Sequence, residues 1–313
     1  MGGRRRRGGE TSPPCGDAHG LEGWDRMRDT ELEMLYQEEP VGGVDREWIR
    51  DGVLLYRTKT IKSGDMIEAV CFPYTGHRSG ARAAREHVTR AAQQRVNIRN
   101  QRRRILRKVQ CNFGPKAIFI TLTYAEMPEE EEQAEKELDR YLARLRYEAK
   151  KEKAELKYVG VTEISSTGRV HHHILLEGVS RGTAEKKWRK GFVNSGQYQA
   201  NPSGFAGLVA YMLKKDSTVR GSNEEDEEIR NRRIRCSKGL KEPRESVSDH
   251  KISKSRMERI ACEAEEQGRE IFERLYPGYE MRERPTVRRS EWMPGAYVYA
   301  RLWKKGAVCR WPS

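Results

Sequence analysis

Residues 168–178 read Gly-Arg-Val-His-His-His-Ile-Leu-Leu-Glu-Gly, so three of the chain's seven histidines stand side by side in an otherwise apolar run. In a β-strand successive side chains point to opposite faces, so His171 and His173 share one face and His172 takes the other. Two imidazoles two residues apart on a rigid strand can hold a divalent metal. The alternative is a half-buried strand whose three histidines are satisfied by their neighbours. Glu163 lies ahead of them, across the turn Ser165-Ser166-Thr167-Gly168. Pairing the strands over that turn brings Glu163 close to the histidines, although the face it points to depends on the register. A carboxylate with two imidazoles leaves positions on a divalent ion for water and a phosphate oxygen.

Downstream, Phe-Ala-Gly-Leu-Val-Ala-Tyr-Met-Leu-Lys-Lys-Asp reads as a helix that begins after Asn201-Pro202-Ser203-Gly204. Phe205, Leu208, Val209 and Met212 form its apolar stripe, which should pack on a sheet. Tyr211 falls at the edge of that stripe, flanked by Lys214 and Lys215 at i+3 and i+4. Taken alone, this is a tyrosine whose ring caps a core beside two solvated lysines. Following a His-x-His strand, it is also a nucleophile. A phenol with a pKa near 10 is unreactive unaided, but a metal that polarises a phosphate and a nearby ammonium would remedy that.

These residues need elements to position them. AIFITLTY, residues 117–124, has the β-branched, apolar composition of a central strand. The segment after it, from Met127 to Lys153, is a strong helix, with Pro128 and Glu129 to Glu132 at its start and lysines at its end. Leu138, Tyr141, Leu142 and Leu145 supply its buried stripe. LKYVGVTEIS and VHHHILLEG then form an antiparallel hairpin. VLLYRTKT and MIEAVCFPY form another, with its turn at Ser63-Gly64-Asp65. The last eighty or so residues hold one helix over about 253–275 and a terminal strand, AYVYARLW. The fold class expected is α+β, a central antiparallel sheet with helices on one face.

The linear division runs as follows: residues 1–45 a disordered Gly- and Arg-rich tail, 46–112 a hairpin and Arg-rich helix, and 113–220 the core. An acidic linker follows over 221–232, and 233–313 is a C-terminal extension. The formal net charge is +14, which favours a polyanionic partner. From Ala81 to Val109 ten basic residues face the single acid Glu86. Self-repulsion on such a helix is relieved by an anion, so Arg95, Arg99, Arg102, Arg103, Arg104 and Arg107 are candidate contacts to a phosphate backbone. The competing reading of a charge run is a solvated face. The six cysteines are scattered without a Cys-x-x-Cys pair, against a zinc ribbon or disulfide scaffold and for a reducing compartment. No apolar run is long enough to span a bilayer and no signal peptide is visible, so a soluble cytoplasmic protein is expected.

The order FITLTY, then HHH, then Tyr211-Met-Leu-Lys214 resembles the three motifs of the HUH endonucleases. It is most similar to the single-tyrosine rolling-circle replication initiators of bacteriophages, plasmids and integrative elements. The motifs span about residues 113–217, roughly a third of the chain. The middle position, usually a bulky hydrophobic residue, is His172 here. The resemblance implies an HUH nuclease fold, with the motif on a middle strand of an antiparallel sheet. It implies Mg²⁺ or Mn²⁺ on His171, His173 and Glu163, and Tyr211 attacking a phosphate of single-stranded origin DNA. A 5′-phosphotyrosine and a priming 3′-OH would result, with Lys214, or Lys215 if the helix is rotated, supporting the phosphate. A host helicase and polymerase in the bacterial cytoplasm would complete replication, since the chain has no GxxxxGK[ST] phosphate loop. An HUH transposase would use the same chemistry. A conjugative relaxase generally places its tyrosine ahead of the histidines. From a different class, a basic nucleic-acid-binding module without catalysis would show no metal dependence.

Overall fold

Alternating and β-branched runs become strands, and runs free of Gly and Pro become helices. The computed structural model describes residues 54–75, 90–165, 167–198, 204–213, 233–289 and 295–307. The tail over 1–45, the first part of the Arg-rich helix and the acidic linker over 221–232 therefore lie outside the described residues.

The first hairpin pairs β1 (Leu54–Ser63) with β2 (Met66–Thr75). Its turn needs Gly64 twice over. The residue has φ +59°, and a Cβ there would lie 2.3 Å from the Gln110 carbonyl oxygen of the next helix. That helix is α1 (Arg90–Asn112). Strand β3 (Ile118–Thr123) follows, then α2 (Glu131–Lys151), whose Glu131 and Glu132 sit in the first turn and Lys150 and Lys151 in the last. The second hairpin is β4 (Lys157–Ile164) and β5 (Val170–Glu177). A short helix α3 (Arg181–Lys187) is capped by the Ser180 hydroxyl, which accepts from the Thr183 amide. Strand β6 (Val193–Gln197) and helix α4 (Ala206–Met212) complete this part.

The remainder comprises β7 (Arg233–Cys236), β8 (Arg244–Ser248), α5 (Lys254–Cys262), α6 (Glu266–Leu275), β9 (Tyr279–Glu280), β10 (Thr286–Arg289) and β11 (Ala296–Lys304). Where the sequence suggested one helix over 253–275, the chain breaks at Glu263, which leaves helical geometry at φ −132°, ψ 67°. The short elements α3 and β6 were not expected. Val-Asn-Ser-Gly-Gln carries a single apolar residue and no alternating pattern, as an edge strand can afford.

Two antiparallel sheets result, in an α+β fold with six helices among the described residues. One runs β6-β3-β5-β4-β7, with the histidine strand β5 at its centre. The other runs β10-β11-β2-β1-β8, with β9 paired to β11, and joins the first hairpin to strands from the far end of the chain. The first sheet carries helices on both faces, not on one. Ile118, Ile120, Leu122, Ile174 and Leu176 pack with Leu138, Tyr141, Leu142 and Leu145 of α2. Phe119, Val159, Val161 and Leu175 pack beneath α4 and the residues Ile105, Leu106 and Val109 of α1. β5 is therefore apolar in both directions along its second half, which is why its sequence ends in an unbroken Ile-Leu-Leu.

Helix α1 also reaches the second sheet. Arg107 Nε lies 2.5 Å from Glu68 Oε2 on β2, and the Tyr299 hydroxyl of β11 donates to the same carboxylate at 2.7 Å. Glu68 is 1% exposed, so these partners are what make its burial tolerable. The segment after β7 is held in the same way. Asn112, at the end of α1, accepts from the Lys241 amide and donates to its carbonyl oxygen, while Arg235 pairs with Glu135 and Asp139 of α2.

Candidate functional site

The register of the second hairpin settles which way Glu163 points. It stands directly opposite His171, and Val161 stands opposite His173. On the other side of β5, Thr123 is opposite His171 and Thr121 opposite His173. Directly paired residues share a face, so Glu163, His171, His173, Thr121 and Thr123 project from the same side of the sheet. The His171 and His173 rings lie 6.4 Å apart, within 10° of parallel. His173, 8% exposed, is held at both nitrogens: Nδ1 lies 3.0 Å from the Thr121 hydroxyl and Nε2 3.3 Å from Glu163 Oε2. Burial, reinforced by the neighbouring His173, holds the His171 pKa below its usual value and favours a neutral, electron-donating ring.

His172 meets a different environment. It is fully buried on the α2 side, with Nδ1 3.0 Å from the Thr162 hydroxyl and Nε2 2.8 Å from the Tyr124 hydroxyl. Tyr124 in turn donates to the Ala134 carbonyl of α2 at 3.1 Å. Trp188 closes the cluster edge-on to His172, Tyr124 and Tyr141. Burial pushes the His172 pKa down to about 3, so the ring stays neutral and serves as a hydrogen-bonding core residue.

Tyr211 lies over the open face. Its ring is edge-on to His173 at 5.7 Å and to Phe119 at 6.0 Å. The helix that carries it differs from the amphipathic one expected. All of Ala206 to Ala210, with Met212 and Leu213, are buried, because α4 is sandwiched between the sheet and α1. Tyr211 is therefore the half-buried exception on a helix otherwise enclosed, rather than the edge of a stripe facing water. Lys214 and Lys215 lie outside the described residues.

The arginines divide. Arg95 and Arg99 are on α1, but their side chains lie outside the described residues. Arg104 is exposed, while Arg103 is buried. Arg102 donates to the Leu213 carbonyl at the end of α4 at 2.8 Å. Arg107 is turned inward to Glu68, and Lys108 pairs with Glu242 at 2.6 Å. Packing α1 between two sheets forces part of its basic surface to find internal carboxylates. Arg107, one of the candidate phosphate contacts, thus has its guanidinium engaged with Glu68 and ties α1 to the second sheet.

The donors on the open face are two imidazoles and one carboxylate, a set that suits a divalent cation with positions left for water and phosphate. Thr121 behind His173 fixes its ring orientation, as outer partners of metal-binding histidines do. Among the described residues no three such side chains are already gathered around a common point, Glu163 being turned onto His173. Sequence reasoning missed the three hydroxyls of Thr121, Thr162 and Tyr124. The two-residue spacing of Thr121 and Thr123 in FITLTY would have exposed the first of them once β3 was paired with β5.

A family model described as replication-associated protein ORF2/G2P matches residues 117–216, about a third of the chain. The match begins at β3 and runs through both hairpin strands and α4, so it contains every residue of the open face named above. Neither a curated protein nor a solved structure matches the chain. No helix among the described residues is long and apolar enough to cross a membrane.

Proposed function

We propose that this chain initiates replication by nicking and rejoining single-stranded DNA, with Tyr211 as the nucleophile. The observation that carries this reading is Tyr211 standing edge-on to His173 on the face that also presents His171 and Glu163. The likeness to replication-associated proteins over the same residues supports it. His171, His173 and Glu163 would hold Mg²⁺ or Mn²⁺. When bound, that ion supplies Lewis-acid polarisation of the scissile phosphate.

The chain's own residues do the rest. Thr121 holds the His173 ring; because its hydroxyl can donate or accept, it suits either tautomer. Packing of α4 on all other sides, with the Tyr211 ring edge-on to Phe119 and His173, holds the ring beside the histidines, so attack would proceed from a positioned group. The phenolic oxygen gives up its proton and forms a bond to phosphorus as the bond to the 3′ oxygen breaks, and that oxygen leaves as a hydroxyl. One phosphodiester replaces another, so the 3′-OH can later reverse the step and rejoin the strand. Lys214, or Lys215, supports the charge on the phosphate, and a host helicase and polymerase carry out unwinding and synthesis.

The test is incubation with single-stranded oligonucleotides tiled across the replicon that encodes the protein, with Mn²⁺ or EDTA, followed by denaturing gels. The expected result is a metal-dependent, detergent-stable protein–DNA band that Tyr211→Phe removes. DNA binding without an adduct on any oligonucleotide overturns the reading and leaves a non-catalytic binding module.

A further inference from the structure

Phe192 is 75% exposed, yet the backbone around it is hydrogen-bonded to the end of β3. The Thr123 amide donates to the Phe192 carbonyl at 3.0 Å and the Thr123 hydroxyl at 3.3 Å, while the Ala125 amide donates to Lys190 at 2.9 Å. Between them Gly191 presses onto the end of β3 so closely that a Cβ would lie 2.3 Å from the Thr123 carbonyl oxygen. Trp188, buried under α2, donates to that same oxygen at 2.9 Å. The chain thus fixes where the Phe192 ring starts and leaves the ring in water. Exposed apolar side chains are ordinary, but an aromatic held out on a clamped backbone is preorganised for a ligand.

Its place in the sheet says which ligand. Val193 packs toward the α2 side, so alternation turns Phe192 to the opposite face. The pairing continues the site's own row: Phe192 beside Thr123, Thr123 opposite His171, His171 opposite Glu163. Two strand spacings put Phe192 about 10 Å from His171, a distance of about three nucleotides at the rise of a stacked strand. The surroundings are polar and basic, with Asn194 exposed on the same face and Arg189 exposed just before. That is too little apolar surface for a protein interface, whereas one ring among polar and cationic groups suits the π-face of an unpaired base.

We infer that Phe192 is a stacking platform for a nucleobase of single-stranded DNA, beside the histidine pair. The inference rests on the nuclease reading for the identity of the strand. The test is binding of the whole protein to a fluorescein-labelled single strand in EDTA, read by anisotropy, with Phe192→Ala and Phe192→Trp. Removing a base–aromatic stack should weaken binding roughly fivefold to a hundredfold in Phe192→Ala. Phe192→Trp should restore it, and the difference between the variants should vanish on an abasic strand of equal length. Equal affinity of wild type and Phe192→Ala, or an equal loss on the abasic strand, overturns the proposal. The adduct assay separates the two readings. A Tyr211 adduct with no effect of Phe192→Ala sinks the platform alone, and weakened base-dependent binding without any adduct sinks the nuclease reading alone.

Discussion

The two faces of β5 use the same side chain for opposite purposes. On the α2 side, His172 has a hydroxyl on each ring nitrogen, two aromatic rings edge-on to it and no exposure. On the other side, His171 and His173 stand in a row with a carboxylate, a threonine and a tyrosine, with His171 half-buried. An imidazole whose two nitrogens are filled by fixed protein groups is part of the core. An imidazole pair beside a partly exposed carboxylate can exchange that carboxylate's contact for a ligand. What distinguishes the faces is therefore what covers each one, not the residue type.

That contrast can be broken from either side. Tyr211→Phe should remove the covalent adduct altogether while DNA affinity stays within about twofold, since only an oxygen is lost and the ring contacts remain. His171→Ala or His173→Ala should each lower metal-dependent cleavage by about a hundredfold or more with little change in urea midpoint. His172→Ala should do the reverse: it should cost about 3 kcal/mol in urea titration, from lost packing and the lost hydrogen bonds to Thr162 and Tyr124, and cleave measurably where folded. Equal cleavage losses at all three positions, with equal stabilities, would mean the faces do not differ as described. Thr121→Val should weaken Mn²⁺ binding about tenfold by calorimetry, with Thr121→Ser restoring it. An unchanged affinity would reduce Thr121 to a packing residue. The smallest effect belongs to Tyr124→Phe, about 1 kcal/mol of stability with Mn²⁺ affinity unaltered.

Much of this was legible from spacing alone. A period of two puts His171 and His173 together whatever the rest of the fold does, and the acid-to-base gradient of α2 marks its ends without tertiary information. The face of Glu163 was not legible, because it depends on which residue of β4 meets His171, and a slip of one residue would have reversed it. Nor could the periodicity of α4 show that a second helix covers it. An apolar stripe predicts one buried face, and only the arrival of Ile105, Leu106 and Val109 from a hundred residues upstream encloses the other. The partner of Arg107 was hidden for a related reason. In sequence Arg107 belongs to a basic run, and its carboxylate partner Glu68 lies in a different hairpin. Charges whose partners are distant in the chain look unbalanced until the chain is folded.

The enclosure of α4 has a mechanical side as well. If Tyr211 carries a DNA strand covalently, tension on that strand from a moving helicase is delivered to the helix bearing the tyrosine. That helix is wedged by Leu208, Val209 and Met212 against the sheet and α1, and its last turn is fastened to Arg102 through the Leu213 carbonyl. The pull is thus shared among many packed contacts instead of being taken by a single loop. An attachment at Tyr211 would therefore pass its load to the sheet and α1.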